Sequence, residues 1–271
     1  MFLSDYHSHS VFSSDAKHTM EAMALAAHAK GISSLCFTDH ADDCMQEADL
    51  SFSPDKYLEK HGIYEEYLKV HDKLKDTLTV RFGMELSAAN QNPEMANRLI
   101  NLYPFDFIIG SVHNLTGTND FYFLSYKEEE ECHKLMDRYL DEHIEMINTG
   151  GFDVIGHISY PMKYMARYNI KLDLKDHWDK VNTLLTHAIN KGIGIEVNTS
   201  GLRDDLGTTI PCFDVIKLYH DLGGEIITTG SDSHNTDDVG EGICEANELL
   251  KEAGFKYVTV FNQRKPEFMK I

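Results

Sequence analysis

Along the chain, short runs of apolar, β-branched and aromatic residues alternate with longer stretches whose apolar positions recur every three to four residues. The runs fall at 2–7, 32–38, 78–86, 105–112, 152–158, 193–199, 225–230 and 255–262, and their length and composition predict strands. The periodic stretches lie near 20–30, 54–76, 93–102, 127–148, 175–191, 212–222 and 238–253, and they predict amphipathic helices. Ser53-Pro54 supplies a start signal for the second helix, while Gly31, Gly150-Gly151, Gly192 and Gly223-Gly224 stand where helices should stop. Strands alternating with helices predict a parallel sheet, and seven or eight such units predict a barrel closed on itself. With no internal repeat, linker or low-complexity tract, the expected organisation is a single α/β domain over residues 1–271.

Composition narrows the compartment and the partners. No apolar run approaches the roughly 20 residues that a membrane-spanning helix needs. Asp5 and His7 stand where a signal peptide would carry its apolar region. A cytoplasmic protein without membrane contact is therefore expected. Cys36, Cys44, Cys132, Cys212 and Cys244 are odd in number and show no C-x-x-C spacing, which points to reduced thiols rather than disulfides or a thiolate zinc site. The formal charge of −19 argues against duplex nucleic acid, whose binding depends on Lys and Arg meeting phosphates. The 25 Lys and Arg residues form no cluster, so an anionic substrate must find its positive charge elsewhere.

In barrels of this kind the chemistry gathers at the C-terminal ends of the strands. Those ends read "DYHSH" with His7 and His9, "FTDH" with His40, "FGMELS" with Glu85, "IIGSVH" with His113, "VIGHIS" with His157 and "GSDSH" with Asp232 and His234. Asp15 follows in the loop after the first strand. Residues two apart on a strand share a face, so His7 projects with His9 and Asp232 with His234. Any one of these is most simply a histidine bonded to backbone or a solvated acid. Their coincidence at one rim is what points to a shared site. The other histidines, including His28, His71, His133, His143 and His187, fall within or beside helices and are expected to be surface or packing residues.

Imidazoles mixed with carboxylates suit zinc, manganese or iron, whereas calcium and magnesium prefer oxygen shells. Nine ligands exceed the needs of one ion; three divalent ions fit if Glu85 bridges two of them. Such ions would outweigh the carboxylates of Asp15, Glu85 and Asp232 and leave about +3 at the site. That excess would hold a phosphate dianion inside an otherwise acidic protein.

In this order the motifs H-x-H, T-D-H, G-x-E, S-V-H, G-H and S-D-S-H resemble the polymerase and histidinol phosphatase (PHP) superfamily, nearly from end to end. The spelling "EVNTSGLR" at Glu196–Arg203, with "FDFIIGSVH" and "GFDVIGHIS", is most similar to its histidinol-phosphate phosphatase branch. The resemblance implies a distorted (β/α)7, TIM-like barrel with a trinuclear metal site. By motif, His7, His9, Glu85 and Asp232 would hold one ion, Glu85, His113 and His157 a second, and Asp15, His40 and His234 a third. Glu85, Asp232 and His234 are expected to take a direct part in catalysis. Asp15 stands where some relatives carry His, so the third ion is expected to bind differently or more weakly. "DDLGTTIP" after Arg203 replaces the glycine-acid-proline run usual in the branch.

The resemblance implies hydrolysis of L-histidinol phosphate to L-histidinol and phosphate, a step of histidine biosynthesis. Water shared between ions becomes a nucleophile near neutral pH, and in-line attack on phosphorus needs no covalent intermediate. Arg203 and Arg167 lie in rim loops and are expected to contact phosphate through the two-pronged guanidinium. No residue stands out as the general acid or as the partner of the substrate's amino-imidazole end. Two other readings remain: a phosphoesterase for another small ester such as a nucleotide or an oligonucleotide end, and a non-catalytic barrel whose metals only stabilise the fold.

Overall fold

The computed structural model describes residues 1–47 and 55–271. Its strands are β1 (Ser4–Ser8), β2 (Ser34–Phe37), β3 (His40–Ala41), β4 (Thr79–Ser87), β5 (Phe107–Ser111), β6 (Val154–Ile155), β7 (Gly194–Asn198) and β8 (Ile227–Gly230). They pair in the order β1-β2-β4-β5-β6-β7-β8, every pair parallel, and β3 prolongs the line of β2 so that His40 lies opposite Glu85 on β4. Nearly all of these residues are buried on both faces, as expected where helices cover the outside of a parallel sheet. The result is the distorted TIM-like barrel.

The seam between β1 and β8 closes unevenly. At its lower end the Thr229 hydroxyl donates to the Ser4 carbonyl (2.6 Å). At the rim, backbone takes over: the His9 amide donates to the Ser233 carbonyl and the Asp232 amide to the His7 carbonyl, each at 2.8 Å. A register irregularity in β1 between Asp5 and Ser8 turns two successive side chains inward. The Tyr6 ring packs 5.2 Å from Phe107, while His7 Nε2 approaches Glu85 Oε2 at 3.4 Å. Such bulges re-aim side chains beside active sites.

The covering helices are α1 (Met20–Ala29), α2 (Ile63–Leu74), α3 (Pro93–Ile100), α4 (Glu129–Thr149), α5 (Tyr160–Ala166), α6 (Trp178–Lys191), α7 (Phe213–Asp221) and α8 (Ile243–Ala253). Local chemistry sets their ends. Thr19 caps α1 by accepting the Ala22 amide, and Asn92 caps α3 ahead of a proline in its first turn. Glycines in the left-handed region terminate α6 at Gly192 and α8 at Gly254.

Four differences from the sequence reading matter. The run at 255–262 is a strand outside the barrel: β9 (Tyr257–Asn262) pairs antiparallel with β10 (Lys265–Lys270). This hairpin plugs the lower mouth, where Phe261 packs with Tyr6, Cys36, Phe107, Ile109 and Val154. Helix α2 starts only at Ile63, after a single 3-10 turn at Tyr57–Glu59; the Ser53-Pro54 start signal lies outside the described residues. Helix α8 begins at Ile243 rather than near 238. Finally, α5 follows β6 directly and has no counterpart among the predicted helices.

Candidate metal centre

The strand-end histidines and acids converge inside the upper half of the barrel. His7 Nε2 and His9 Nε2 lie 3.4 and 3.6 Å from Glu85 Oε2, and 3.7 and 3.5 Å from Asp232 Oδ1. Ligands about 2.0–2.2 Å from a tetrahedral zinc stand roughly 3.3–3.6 Å apart; His7, His9 and Glu85 form one group at about that spacing, and Asp232 Oδ1 lies at a similar distance from both histidines. The other oxygen, Glu85 Oε1, faces His113 Nε2 at 3.1 Å and His157 Nε2 at 2.8 Å, with the two nitrogens 3.4 Å apart. A third group joins His40 Nε2 and His234 Nε2, 3.4 Å apart, with Asp15 Oδ2 at 3.2 Å from His234. His9 also comes within reach of this third group, and Asp42 within reach of His40 and His113. Glu85 thus turns one oxygen to each of two histidine pairs, as a carboxylate shared between two cations would.

Unpaired atoms mark the same points. His7 Nε2, His9 Nε2 and Glu85 Oε2 are buried without a hydrogen-bond partner, and so is His40 Nδ1, although it stands 2.7 Å from Glu85 Oε2. An unsatisfied buried polar atom costs about 1–3 kcal/mol. Several aimed at common points fit a cation. Hydrogen bonding distinguishes the ring nitrogens, because in four of the histidines the nitrogen opposite the cluster is engaged. His7 Nδ1 pairs with Glu196 Oε1 (2.7 Å), His9 Nδ1 with Ser13 Oγ (3.2 Å), His113 Nδ1 with Asp42 Oδ1 (3.4 Å) and His234 Nδ1 with the Asp232 carbonyl (3.0 Å). Partners of this kind fix the ring and its tautomer.

Two further groups buttress the rim. Glu196, on β7, also accepts the His157 amide at 2.8 Å, so one buried carboxylate serves residues of two different ion groups. Its fit depends on Gly230, where an added Cβ would come within 2.4 Å of both Glu196 Oε1 and His7 Cβ. Asp39 accepts the Ser10 amide and the hydroxyls of Ser10 and Ser13, tying the loop after β1 to the end of β2.

Electrostatics binds the cluster together. Burial opposes the charge on Glu85, but His113, His7 and His40 overcome it and hold the carboxyl well below its usual range. Asp232 behaves alike, with burial outweighed chiefly by His7, His9 and His234. Burial likewise opposes protonation of His7, yet Glu196, Glu85 and Asp232 lift it well above the ordinary imidazole value. His113 rises to about 10, burial being outweighed by Glu85 and Asp42. His9 goes the other way: burial, then the neighbouring His40 and His234, push it well down. Without metal the carboxylates therefore favour protons on His7 and His113, and an incoming cation would have to displace them.

The centre opens into a cavity of about 210 Å³ whose wall includes Tyr122, Tyr160, Lys163, Tyr164 and Arg167 beside the strand-end ligands. A neighbouring cavity of about 320 Å³ shares the Tyr122, Tyr160 and Tyr164 wall and adds Asp42, Asp55, Asp120 and Phe123. A larger cavity, about 550 Å³ around Phe255 and Tyr257, lies at the opposite end of the barrel and contains none of these groups. Of the two arginines singled out from sequence, Arg167 lines the cavity and pairs with Asp204 at 2.8 Å. Arg203 does not line this cavity; its Nη2 donates to the Ser231 carbonyl at 2.7 Å, while its Nη1 is buried without a hydrogen-bond partner. Asp15 is the most exposed member of the cluster, 59% accessible against 14% for His40. Glu196, Asp42, Lys163 and Asp120 were not assigned from sequence. Glu196 carries the one detectable signal, an acid on a strand running into the rim.

Comparison with known proteins places these observations. The PHP domain profile matches residues 5–200. A histidinol-phosphatase of Lactococcus lactis is 28% identical over 268 residues, covering 96% of this chain and 95% of that protein. A crystal structure of the Lactococcus lactis histidinol phosphate phosphatase, complexed with zinc, L-histidinol and phosphate, superposes with a TM-score of 0.82 at 26% identity, covering 98% of both chains. A solved chain from Listeria monocytogenes shares the fold, with a TM-score of 0.78, 20% identity and coverage of 89% of this chain and 99% of that one. Among the described residues no helix is long and apolar enough to cross a membrane.

Proposed function

The chain belongs to the PHP domain family, and on that premise we propose that it is a metal-dependent phosphomonoesterase hydrolysing L-histidinol phosphate to L-histidinol and phosphate. One observation carries the chemistry: Glu85 turns one oxygen to His7 and His9 and the other to His113 and His157, inside a cavity that also presents Lys163 and Arg167. His7, His9, Glu85 and Asp232 would hold one ion, Glu85, His113 and His157 a second, and Asp15, His40 and His234 a third, with zinc, manganese or iron as the candidates. Bound divalent ions supply neutralisation of the phosphoryl oxygens and a water ionised near neutral pH.

The remaining roles belong to the chain. Arg167 offers its guanidinium to the phosphoryl group from the cavity wall, steadied by Asp204 and by the Tyr164 ring 4.8 Å away. Arg203 acts behind the site, holding the Ser231 carbonyl next to the ligand Asp232. The adjoining cavity suits the amino-imidazole end. Asp120 there accepts the Tyr122 amide at 2.7 Å and has no ion pair among the described residues. An ammonium is the partner such a carboxylate lacks, and Tyr122 and Tyr160 offer aromatic faces for a planar ring.

The relatives named for histidinol phosphate favour this substrate over a nucleotide or an oligonucleotide end. Phosphate release from L-histidinol phosphate, nucleoside monophosphates and a short oligonucleotide, each with and without chelator, tests the choice. The expected outcome is chelator-sensitive turnover with the highest kcat/KM on histidinol phosphate. A higher kcat/KM on a nucleotide would assign the site to the alternative ester, and no turnover of any ester by metal-loaded protein would leave a structural metal barrel.

A further inference from the structure

The reaction needs a proton for its leaving group, and the strand-end ligands are poorly placed to give one because their inward atoms face the cation positions. Helix α5 supplies the opposite wall. Tyr160, Lys163, Tyr164 and Arg167 are spaced i, i+3, i+4 and i+7, hence on one face, and all four line the cavity over the metal ligands. Arg167 does not release a proton at working pH and is already paired with Asp204. The hydroxyls of Tyr160 and Tyr164 hydrogen-bond to each other at 2.5 Å. Asp120 lines only the neighbouring cavity.

Lys163 is different. Its Nζ donates to Ser200 Oγ at 3.1 Å, and that hydroxyl lies 3.3 Å from Asp232 Oδ2. The ammonium is thus stationed two hydrogen bonds from the Asp232 carboxylate, close enough to Asp232 and Asp204 to lower the pKa of both, and forms no direct ion pair among the described residues. An ammonium has three donors, and one of them is used on Ser200.

We propose that Lys163 is the general acid of the reaction. As the water oxygen bonds to phosphorus, the bond from phosphorus to the alcohol oxygen breaks and its electron pair goes to that oxygen, which takes a proton from Lys163 Nζ. The proton released by the attacking water returns through solvent at the cavity mouth to the neutral amine. Charge, atoms and protons balance without any further reactant. This step rests on the phosphomonoesterase reading above.

The test compares two esters. The alcohol of histidinol phosphate leaves as a strongly basic alkoxide and needs the proton, whereas p-nitrophenolate is stable in water and does not. Lys163→Met removes charge and proton; Lys163→Arg keeps the charge but not a transferable proton. With metal-loaded protein, both variants are expected to lose on the order of 10²–10⁴-fold in kcat on histidinol phosphate, and less than about tenfold on p-nitrophenyl phosphate. Retained turnover of the aryl ester also shows that each variant is folded and metal-loaded. Equal losses on both esters, or wild-type kcat on histidinol phosphate in Lys163→Arg, would make Lys163 a charge that binds phosphate and overturn the proposal. Metal content and melting temperature equal to wild type, with both esters lost, would overturn it in the same way. Failure of the wild-type protein to hydrolyse histidinol phosphate would instead strike the functional reading itself.

Discussion

A single carboxyl can show how this protein trades stability against recognition. Burial pushes Asp120 up to about 6 from its ordinary value, only partly countered by His113 and the Tyr122 amide. The sign follows directly. Below its unfolded value both states carry the proton and nothing is gained or lost. As pH rises toward 6 the unfolded chain sheds its proton first, so stability falls, and above 6 the ionised carboxylate costs at most roughly 3 kcal/mol. A substrate ammonium would relieve that cost. Asp120→Asn is therefore expected to raise the melting temperature of the free protein at pH 7 while raising KM for histidinol phosphate at least tenfold with a smaller change in kcat. Thermal melts of the metal-free protein from pH 5 to 8, in which the variant should lack the fall in stability, and initial rates at pH 7 would show both. A KM indifferent to the substitution would take Asp120 out of the substrate pocket.

At the scale of elements, the sequence was legible where packing and period coincide and illegible where function overrides them. The seven barrel strands and the long helix α4 follow from apolar runs and helical spacing because both are buried the way their patterns say. Helix α5 was missed for a physical reason. Its buried residues Pro161, Tyr164, Met165 and Ala166 share a short segment with the polar cavity face, and two apolar-looking tyrosines serve that face, so no clean stripe remains. The run at 255–262 has ordinary strand composition, and only its pairing with β10 reveals it as a plug. In the site, the converging histidines and acids were readable because most of them lie at or just beyond a strand end, with Asp15 in the loop after β1; Glu196 left only the faint signal of an acid on a strand running into the rim, and Lys163 left none, since their contacts are with neighbours far away in sequence. The β1–β7–β8 contact shows how tightly such neighbours are set. Gly230 on β8 leaves no room for a methyl group between His7 and Glu196. Gly230→Ala should force that pair apart, costing about 1–3 kcal/mol of stability by overpacking and reducing the ions retained per chain after dialysis. Full metal content in a folded Gly230→Ala protein would show that the His7–Glu196 contact does not govern ion binding.

For the whole molecule, the proposed metal centre would set cations and protons in competition for one set of side chains, and that competition would govern how stability depends on pH. In the metal-free chain the raised His113 contributes stability that is complete below the ordinary imidazole value near 6.5 and is lost as pH climbs through about 10. His7 is displaced in the same direction by the same kind of neighbour. Glu85 and Asp232, held low, contribute stability that disappears only in acid. Cations need those imidazoles deprotonated, so their affinity grows across the window in which the free chain weakens. Bound ions stabilise according to their concentration relative to Kd. The melting temperature with excess zinc minus that with chelator should therefore widen steadily from pH 6.5 to pH 9. The exposed Asp15–His40–His234 group should empty first as chelator is raised, giving stepwise rather than concerted metal loss. A difference in melting temperature that stays flat or narrows with rising pH would mean that the cluster does not exchange protons for cations, and the barrel mouth would then be a network of ion pairs instead of a metal centre.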